Sequence, residues 1–182
     1  MKREILSAVI LILCLSCLLF PVKDEYYRKA ALFRVISHYC LWPEEAGMSD
    51  NSSPFVIGVM GRNPFKNILE EFYSRHKIKN KKVEIRDVSY LTGIPGCHIL
   101  FLSKSIKKDL LARVLAVTHS RPVLTIGETP GFAEKGVLLN FYISDNRILL
   151  EVNGTALRKS SLQMDPLLLR LARIIMPMEE RE

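Results

Sequence analysis

The chain has 182 residues, and its 26 Lys and Arg residues outnumber 19 Asp and Glu residues, which gives a formal net charge of +7. This length predicts one domain with its own core, because four cysteines are too few for a disulfide framework to replace that core. The densest basic run, residues 75–82, has no interleaved aromatic side chains for base stacking. The charge therefore indicates an acidic protein partner or an anionic membrane surface, and no nucleic acid.

An uncharged apolar segment, residues 5–20, lies between a basic amino terminus and Pro21. It is typical of an export signal, since it is shorter than the roughly 20 residues that a bilayer-spanning helix needs. It contains no good Ala-x-Ala cleavage site, and Ser16-Cys17 resembles a lipoprotein site. We therefore predict that residues 1–22 are a signal peptide or a membrane anchor. Release, acylation at Cys17 and retention remain open alternatives, and residues 23–182 are predicted to form a single α/β domain.

The first half of this domain shows a helix–strand–helix pattern. Helical spacing of apolar residues predicts a helix over 24–41, which Trp42-Pro43 ends because a residue before proline disfavours the helical conformation. The wholly apolar run 55–61 predicts a strand buried on both faces. Asn63-Pro64 then predicts the start of a second helix, with Asn63 as its cap.

The second half continues the alternation and then changes. Further strands are predicted over 83–88, 97–102 and 122–126, and a helix capped by Ser105 over 105–117. Residues 136–143 and 147–152 flank Ser144-Asp145-Asn146 as in a β-hairpin. A last helical stretch is predicted over 153–176, broken at Asp165-Pro166.

This order of elements predicts an α/β fold. Alternating strands and helices favour a parallel sheet covered by helices, and the hairpin would extend that sheet in the antiparallel sense. We expect a three-layer sandwich with a mostly parallel central sheet, a C-terminal antiparallel hairpin and helices on both faces.

The residues give little support for catalysis. None of the four histidines has a partner at zinc-motif spacing, and no Gly-x-Ser-x-Gly elbow is present. The turn over 58–63 lacks the glycine pattern of dinucleotide sites and a Walker lysine. We therefore predict no catalytic residue, no metal and no cofactor.

Four residues are candidates for binding a partner. Trp42 is either an interface anchor or packed against the sheet, and Phe132 lies in a loop where it would be an exposed apolar contact. Glu151 stands in an apolar strand, where a carboxylate needs a cation such as Arg158 unless the strand is a solvent-facing edge.

An oxidising compartment would also permit Cys40 and Cys97 to pair.

Several segments in collinear order resemble the YfiR-like family of small bacterial periplasmic proteins. They are Tyr27 to Phe33 with Trp42-Pro43, the strand 55–61 with Pro64-Phe65, Gly96 to Leu102, Val123 to Ile126 with Gly131-Phe132-Ala133, Asn140-Phe141 with 147–153, and Leu162 to Ala172. The resemblance covers about residues 24–176. Two departures stand out: the family has a cysteine at the position of Gly58, paired with the one matching Cys97, and it has Gly-Gly where this chain has Lys135-Gly136.

The resemblance implies a non-enzymatic periplasmic regulator that binds the extracytoplasmic domain of a membrane signalling protein. That partner would be a diguanylate cyclase or a histidine kinase, and an outer-membrane lipoprotein can sequester the regulator in the best-known member. A homodimer is also compatible with this expectation. The alternative is a periplasmic small-ligand-binding protein, with its ligand at the carboxyl ends of the parallel strands.

Overall fold

A computed structural model describes residues 22–50 and 52–176 of the chain. The helices are α1 (Val22–His38), α2 (Ile68–Tyr73), α3 (Lys108–Thr118), α4 (Gly154–Lys159) and α5 (Pro166–Leu171). The strands are β1 (Cys40–Leu41), β2 (Phe55–Met60), β3 (Val83–Val88), β4 (Ile99–Leu102), β5 (Leu124–Gly127), β6 (Leu139–Ser144), β7 (Arg147–Asn153), β8 (Gln163–Met164) and β9 (Ala172–Ile175). The signal peptide or anchor predicted for residues 1–22 lies outside the described residues, except that Val22 begins α1.

Seven strands form one sheet in the order β3-β2-β4-β5-β6-β7-β9. All neighbouring pairs in it are parallel except the hairpin pair of β6 and β7, while β1 and β8 form a separate antiparallel pair. The hairpin turns at Asp145 and Asn146, which both have positive φ, at 50° and 58°. That conformation is typical of a two-residue type I′ turn. The predicted α/β fold, with its mostly parallel sheet and C-terminal hairpin, is confirmed.

The sheet separates two apolar cores. Phe55, Ile57 and Val59 of β2 belong to the core that contains α1 and α2 residues, which we call the α1-side core. Val56 and Met60 belong to the core that contains α3 residues, the α3-side core. Successive strand residues point to opposite faces, so the all-apolar strand β2 contributes side chains to both cores.

The two mature-domain cysteines do not pair. Cys40 and Cys97 are free and buried, and they lie in the α1-side and the α3-side core respectively. The sheet stands between them, so the pairing that the sequence left open does not form.

Three predicted helix boundaries are wrong. α1 ends at His38, because Cys40 and Leu41 pair with Met164 and Gln163 of β8. Asn63 does not cap a helix; its side chain accepts a hydrogen bond from the Phe65 N–H at 2.9 Å, and α2 begins only at Ile68. Ser105 does not cap α3 either, because its hydroxyl accepts the Arg62 N–H at 2.7 Å.

The predicted C-terminal helical stretch is interrupted by two strands. Both of its caps are correct: Asn153 accepts from the Ala156 N–H at 2.6 Å, and Asp165 accepts from the Leu167 N–H at 2.8 Å. Beyond α5, however, the segment Ala172–Ile175 is strand β9 and pairs with β7 in parallel. Its two β-branched isoleucines favour an extended chain, and the free edge of β7 provides the partner.

Candidate functional site

A strongly charged cavity, a groove of about 690 Å³, lies between the C-terminal half of α1 and the connection from α2 to β3. We call it the basic groove. Its lining residues are Arg34, Val35, His38, Tyr39, Arg75, His76, Lys77, Ile78, Lys79 and Asn80.

Backbone contacts fix the two walls of the basic groove against each other. Arg34 Nε donates to the Lys77 carbonyl at 3.2 Å, and Lys79 Nζ donates to the His38 carbonyl at 3.2 Å. Between them Ile78 is only 2% exposed and belongs to the α1-side core. The connection is therefore anchored, and it presents its remaining basic side chains to solvent at fixed positions.

The electrostatics of the basic groove are one-sided. Four of its lining residues are Lys or Arg and two are His, and none of the residues that the structure describes as lining it is acidic. Clustered like charges in a concave surface raise the local potential and concentrate oppositely charged partners. The groove is therefore suited to an acidic surface.

One member of the basic run has a different role. Lys81 is 1% exposed, and its ammonium donates to the Ser53 carbonyl at 3.2 Å, to the Ser53 hydroxyl at 3.1 Å and to the Asp50 carbonyl. A buried ammonium needs such acceptors. Lys81 therefore holds the loop before β2 and takes no part in the charge of the groove.

Trp42 packs against the sheet. Its ring meets Phe55 edge to face at 5.4 Å, and Phe55 in turn stacks on His98 at 4.6 Å. Trp42 is half-buried against the α1-side core, and its indole Nε1 is buried with no hydrogen-bond partner among the described residues. Of the two interpretations of Trp42, packing on the sheet is the one that these contacts support.

Phe132 cannot be the exposed contact that its loop position predicted. It is 3% exposed and belongs to the α3-side core. Gly131 and Gly136 both have positive φ, which turns the loop over the sheet. The ring lies so close to Gly127 that a Cβ there would be 3.0 Å from Phe132 Cδ2.

Glu151 is buried and paired, but not with Arg158. Its carboxylate accepts from Asn140 Nδ2 at 3.1 Å and forms an ion pair with Arg173. Arg173 also lies 4.8 Å above the Tyr142 ring. Arg158 instead donates to the Thr155 hydroxyl at 3.3 Å. The sequence missed Arg173 because its segment was expected to be helical, whereas β9 places it beside Glu151.

A second ion pair, in which both side chains are buried, lies at the carboxyl edge of the parallel strands. Lys29 of α1 and Glu128, which follows β5, are 1% and 5% exposed, and Lys29 Nζ lies 2.6 Å from Glu128 Oε2. Tyr26 donates to the same oxygen at 3.2 Å, and burial followed by the charge of Glu128 raises the Tyr26 pKa. An internal ion pair therefore lies where the alternative function would place a ligand.

Nothing in this part of the chain is arranged for metal or thiol chemistry. Within residues 22–50 and 52–176 no group of three or more His, Cys, Asp or Glu could hold a metal ion. Burial raises the pKa of the Cys40 thiol to about 12, and burial also raises the pKa of Cys97. Buried thiols with raised pKa are poor nucleophiles.

Comparison with known proteins identifies the relatives of this fold. A family model described as YfiR/HmsC-like matches residues 26–173, from the first turns of α1 into β9. No curated protein matches the chain. In the described ranges, no helix combines the length and the apolar character that a membrane crossing requires.

Proposed function

The chain belongs to the YfiR/HmsC-like family, and from this premise we propose that it is a periplasmic regulatory protein that binds the extracytoplasmic domain of a membrane signalling protein. The partner would be a diguanylate cyclase or a histidine kinase whose output the bound regulator modulates. The observation that carries this proposal is the match over residues 26–173, which includes nearly every element of the fold.

A regulatory role agrees with the chemistry of the described residues. The family is regulatory rather than catalytic. In both titratable clusters, Lys29 with Glu25 and Glu128, and Glu151 with Arg173, every charged group is held in an ion pair. Paired and hydrogen-bonded charges stabilise a fold, whereas a general acid or base needs a free group near its substrate.

The basic groove is the surface we assign to the partner. Arg75 and Lys77 are exposed on one wall, and Arg34 and His38 are exposed on the other. An acidic face on the partner would bring complementary charge to this concave surface and speed association. Export by residues 1–22, as a released, acylated or retained segment, would place the groove in the periplasm. An outer-membrane lipoprotein that sequesters the regulator, and a homodimer of it, remain part of the same proposal.

The test uses the full-length protein in its own cells. We expect a tagged chain to capture a membrane protein with a cyclase or kinase output, and removal of the gene to change cyclic-di-GMP. Arg75→Glu with Lys77→Glu should weaken capture and reproduce the deletion. The matched control is Lys107→Glu with Lys108→Glu, which reverses two exposed charges at the start of α3, outside the groove.

The possible outcomes test the regulatory function and the role of the basic groove separately. Unchanged cyclic-di-GMP after deletion, together with the absence of a captured membrane signalling protein, would reject the regulatory function. Capture that is equally weakened by both charge reversals would retain the function and reject the basic groove as its surface, because a general effect of net charge would then explain the loss.

A further inference from the structure

A cleft of about 470 Å³ lies on the other side of the sheet from the basic groove, between the C-terminal end of α3 and α4. We call it the α3–α4 cleft. The residues that carry the argument are the apolar Leu115, Val123, Leu138 and Ala156 and the charged Lys135 and Lys159. Its volume is within the range of roughly 300–1,000 Å³ that is usual for small-molecule sites. The cleft and the basic groove share no lining residue.

The lining of the α3–α4 cleft combines an apolar wall with a net positive charge. Lys135 and Lys159 are exposed, and neither has an ion-pair partner among the residues that the structure describes. Glu134 also lines the cleft, so its one negative charge stands against the two lysines. The net charge at the rim is therefore positive.

Lys135 belongs to the turn that precedes β6. Both Lys135 and the neighbouring Gly136 line the cleft. Gly136 beside it has a φ of +109°, which places the turn against Leu115. The turn and α3 together form one wall.

A buried hydroxyl in the cleft has an unused proton. Thr125 is 1% exposed and lines the cleft, and its oxygen accepts the Leu138 N–H at 3.0 Å. No acceptor for its own proton exists among the described residues. The other buried side chains here differ, since Thr118 donates to the Val114 carbonyl at 3.1 Å and Asn153 donates to the Ala133 carbonyl at 2.6 Å. A buried donor without an acceptor is costly unless a ligand or water supplies one.

We propose that the α3–α4 cleft binds a small amphipathic carboxylate. Its apolar body would pack against Leu115, Val123 and Ala156, its charge would be neutralised by Lys135 and Lys159, and one of its oxygens would accept the Thr125 hydroxyl proton. The regulator would then respond to a small molecule as well as to its protein partner. The binding site for this molecule lies at the amino edge of the parallel strands and not at the carboxyl edge. The site does not depend on the proposed partner surface.

The test is calorimetric titration of the full-length protein with octanoate, and with octylammonium as the probe of equal chain length and opposite charge. We expect octanoate to bind and octylammonium to fail. Lys135→Gln with Lys159→Gln should weaken octanoate about tenfold or more, since one lost charge-assisted contact is worth about a decade in affinity. Lys107→Gln with Lys108→Gln is the matched control and should leave the affinity unchanged. Ala156→Phe should abolish binding by filling the cleft.

Thermal unfolding of each variant would show that it is folded, and the two glutamine pairs change only exposed side chains. No heat with octanoate would overturn the proposal. Equal binding of the two probes, or equal affinity for octanoate in the Lys135/Lys159 variant and in its control, would also overturn it. If a Thr125→Val variant binds octanoate as tightly as the parent, the Thr125 hydroxyl does not donate a hydrogen bond to the ligand, and that part of the proposal is wrong.

Discussion

Gly58 of β2 faces Cys97, which lies just before β4, so closely that a Cβ atom on Gly58 would lie 2.8 Å from Cys97 Sγ. Such a separation suits a disulfide, in which an S–S bond of about 2.05 Å joins side chains whose Cβ atoms are about 3.8 Å apart. We therefore expect Gly58→Cys to form a disulfide with Cys97 under oxidising conditions, and to stabilise the domain by about 2–4 kcal/mol relative to its reduced form. Thiol titration and urea unfolding with and without reductant would measure this.

Gly58→Ser is the control for the same position. The added side chain would meet Cys97 and also Val88, whose Cγ2 would lie 3.0 Å from the new Cβ atom. Without a covalent bond the contact is repulsive, so we expect Gly58→Ser to be less stable than the parent in both redox conditions. Two persistently free thiols at positions 58 and 97 after oxidation would contradict the geometry.

The buried pair of Lys29 and Glu128 should contribute strongly to stability. Glu128→Gln would remove the more deeply buried of the two counter-charges of an ammonium that is 1% exposed, since the part-buried Glu25 also lies 2.5 Å from Lys29 Nζ. Leaving a buried charge without any partner typically costs about 3–5 kcal/mol, so with Glu25 retained we expect a loss below that range. The comparison is Glu84→Gln, which removes a half-exposed pair with Arg86 and should cost no more than about 1 kcal/mol. Urea unfolding of both variants checks the difference, and equal midpoints would contradict it.

The corrected partner of Glu151 makes a separate prediction. Arg173→Met removes the cation that pairs with a carboxylate only 3% exposed, whereas Arg158→Met removes a side chain that contacts Thr155. We expect the urea midpoint to fall further for Arg173→Met, because a buried charge without a partner is costly. Both changes replace arginine by methionine, so the comparison tests which of the two arginines pairs with Glu151. A larger effect at Arg158 would reverse the assignment.

The sequence correctly predicted those structural elements that depend on a few neighbouring residues. The apolar run of β2, the turn at Asp145 and Asn146 and the cap at Asp165 each follow from a few adjacent residues. β9 was missed because a four-residue strand after a helix is recognised only when the free edge of β7 is known. Tertiary pairing here decided between helix and strand.

The candidate sites were less predictable for the same reason. The basic run was visible in the sequence, but its apposition to Arg34 and His38 depends on how α1 packs. Likewise, Lys29 lies 99 residues from Glu128, and no local pattern indicates that it is buried. Phe132 was expected to be exposed because it stands between small residues, although those residues allow the loop to fold inward.

His98 should make the stability of the domain depend on pH. Its Nδ1 accepts the Val56 N–H at 2.9 Å, so Nε2 carries the hydrogen and donates to the Ala46 carbonyl at 3.1 Å. Burial lowers the His98 pKa, and the native state therefore holds the neutral ring. The unfolded chain, with a pKa of about 6.5, takes up a proton first as the pH falls. Stability should thus be complete above that pH and decrease below it, by up to about 1.4 kcal/mol per pH unit.

Urea unfolding across this pH range, in the parent and in His98→Asn, measures the contribution of the ring. Asparagine can keep an acceptor for the Val56 N–H but does not titrate, so the difference in stability between the two proteins should narrow as the pH falls. His119→Asn changes an exposed histidine and should follow the parent. A pH dependence that is the same in His98→Asn and the parent would show that His98 is not the titrating group. In that case the loss of stability in acid would come from other titratable groups.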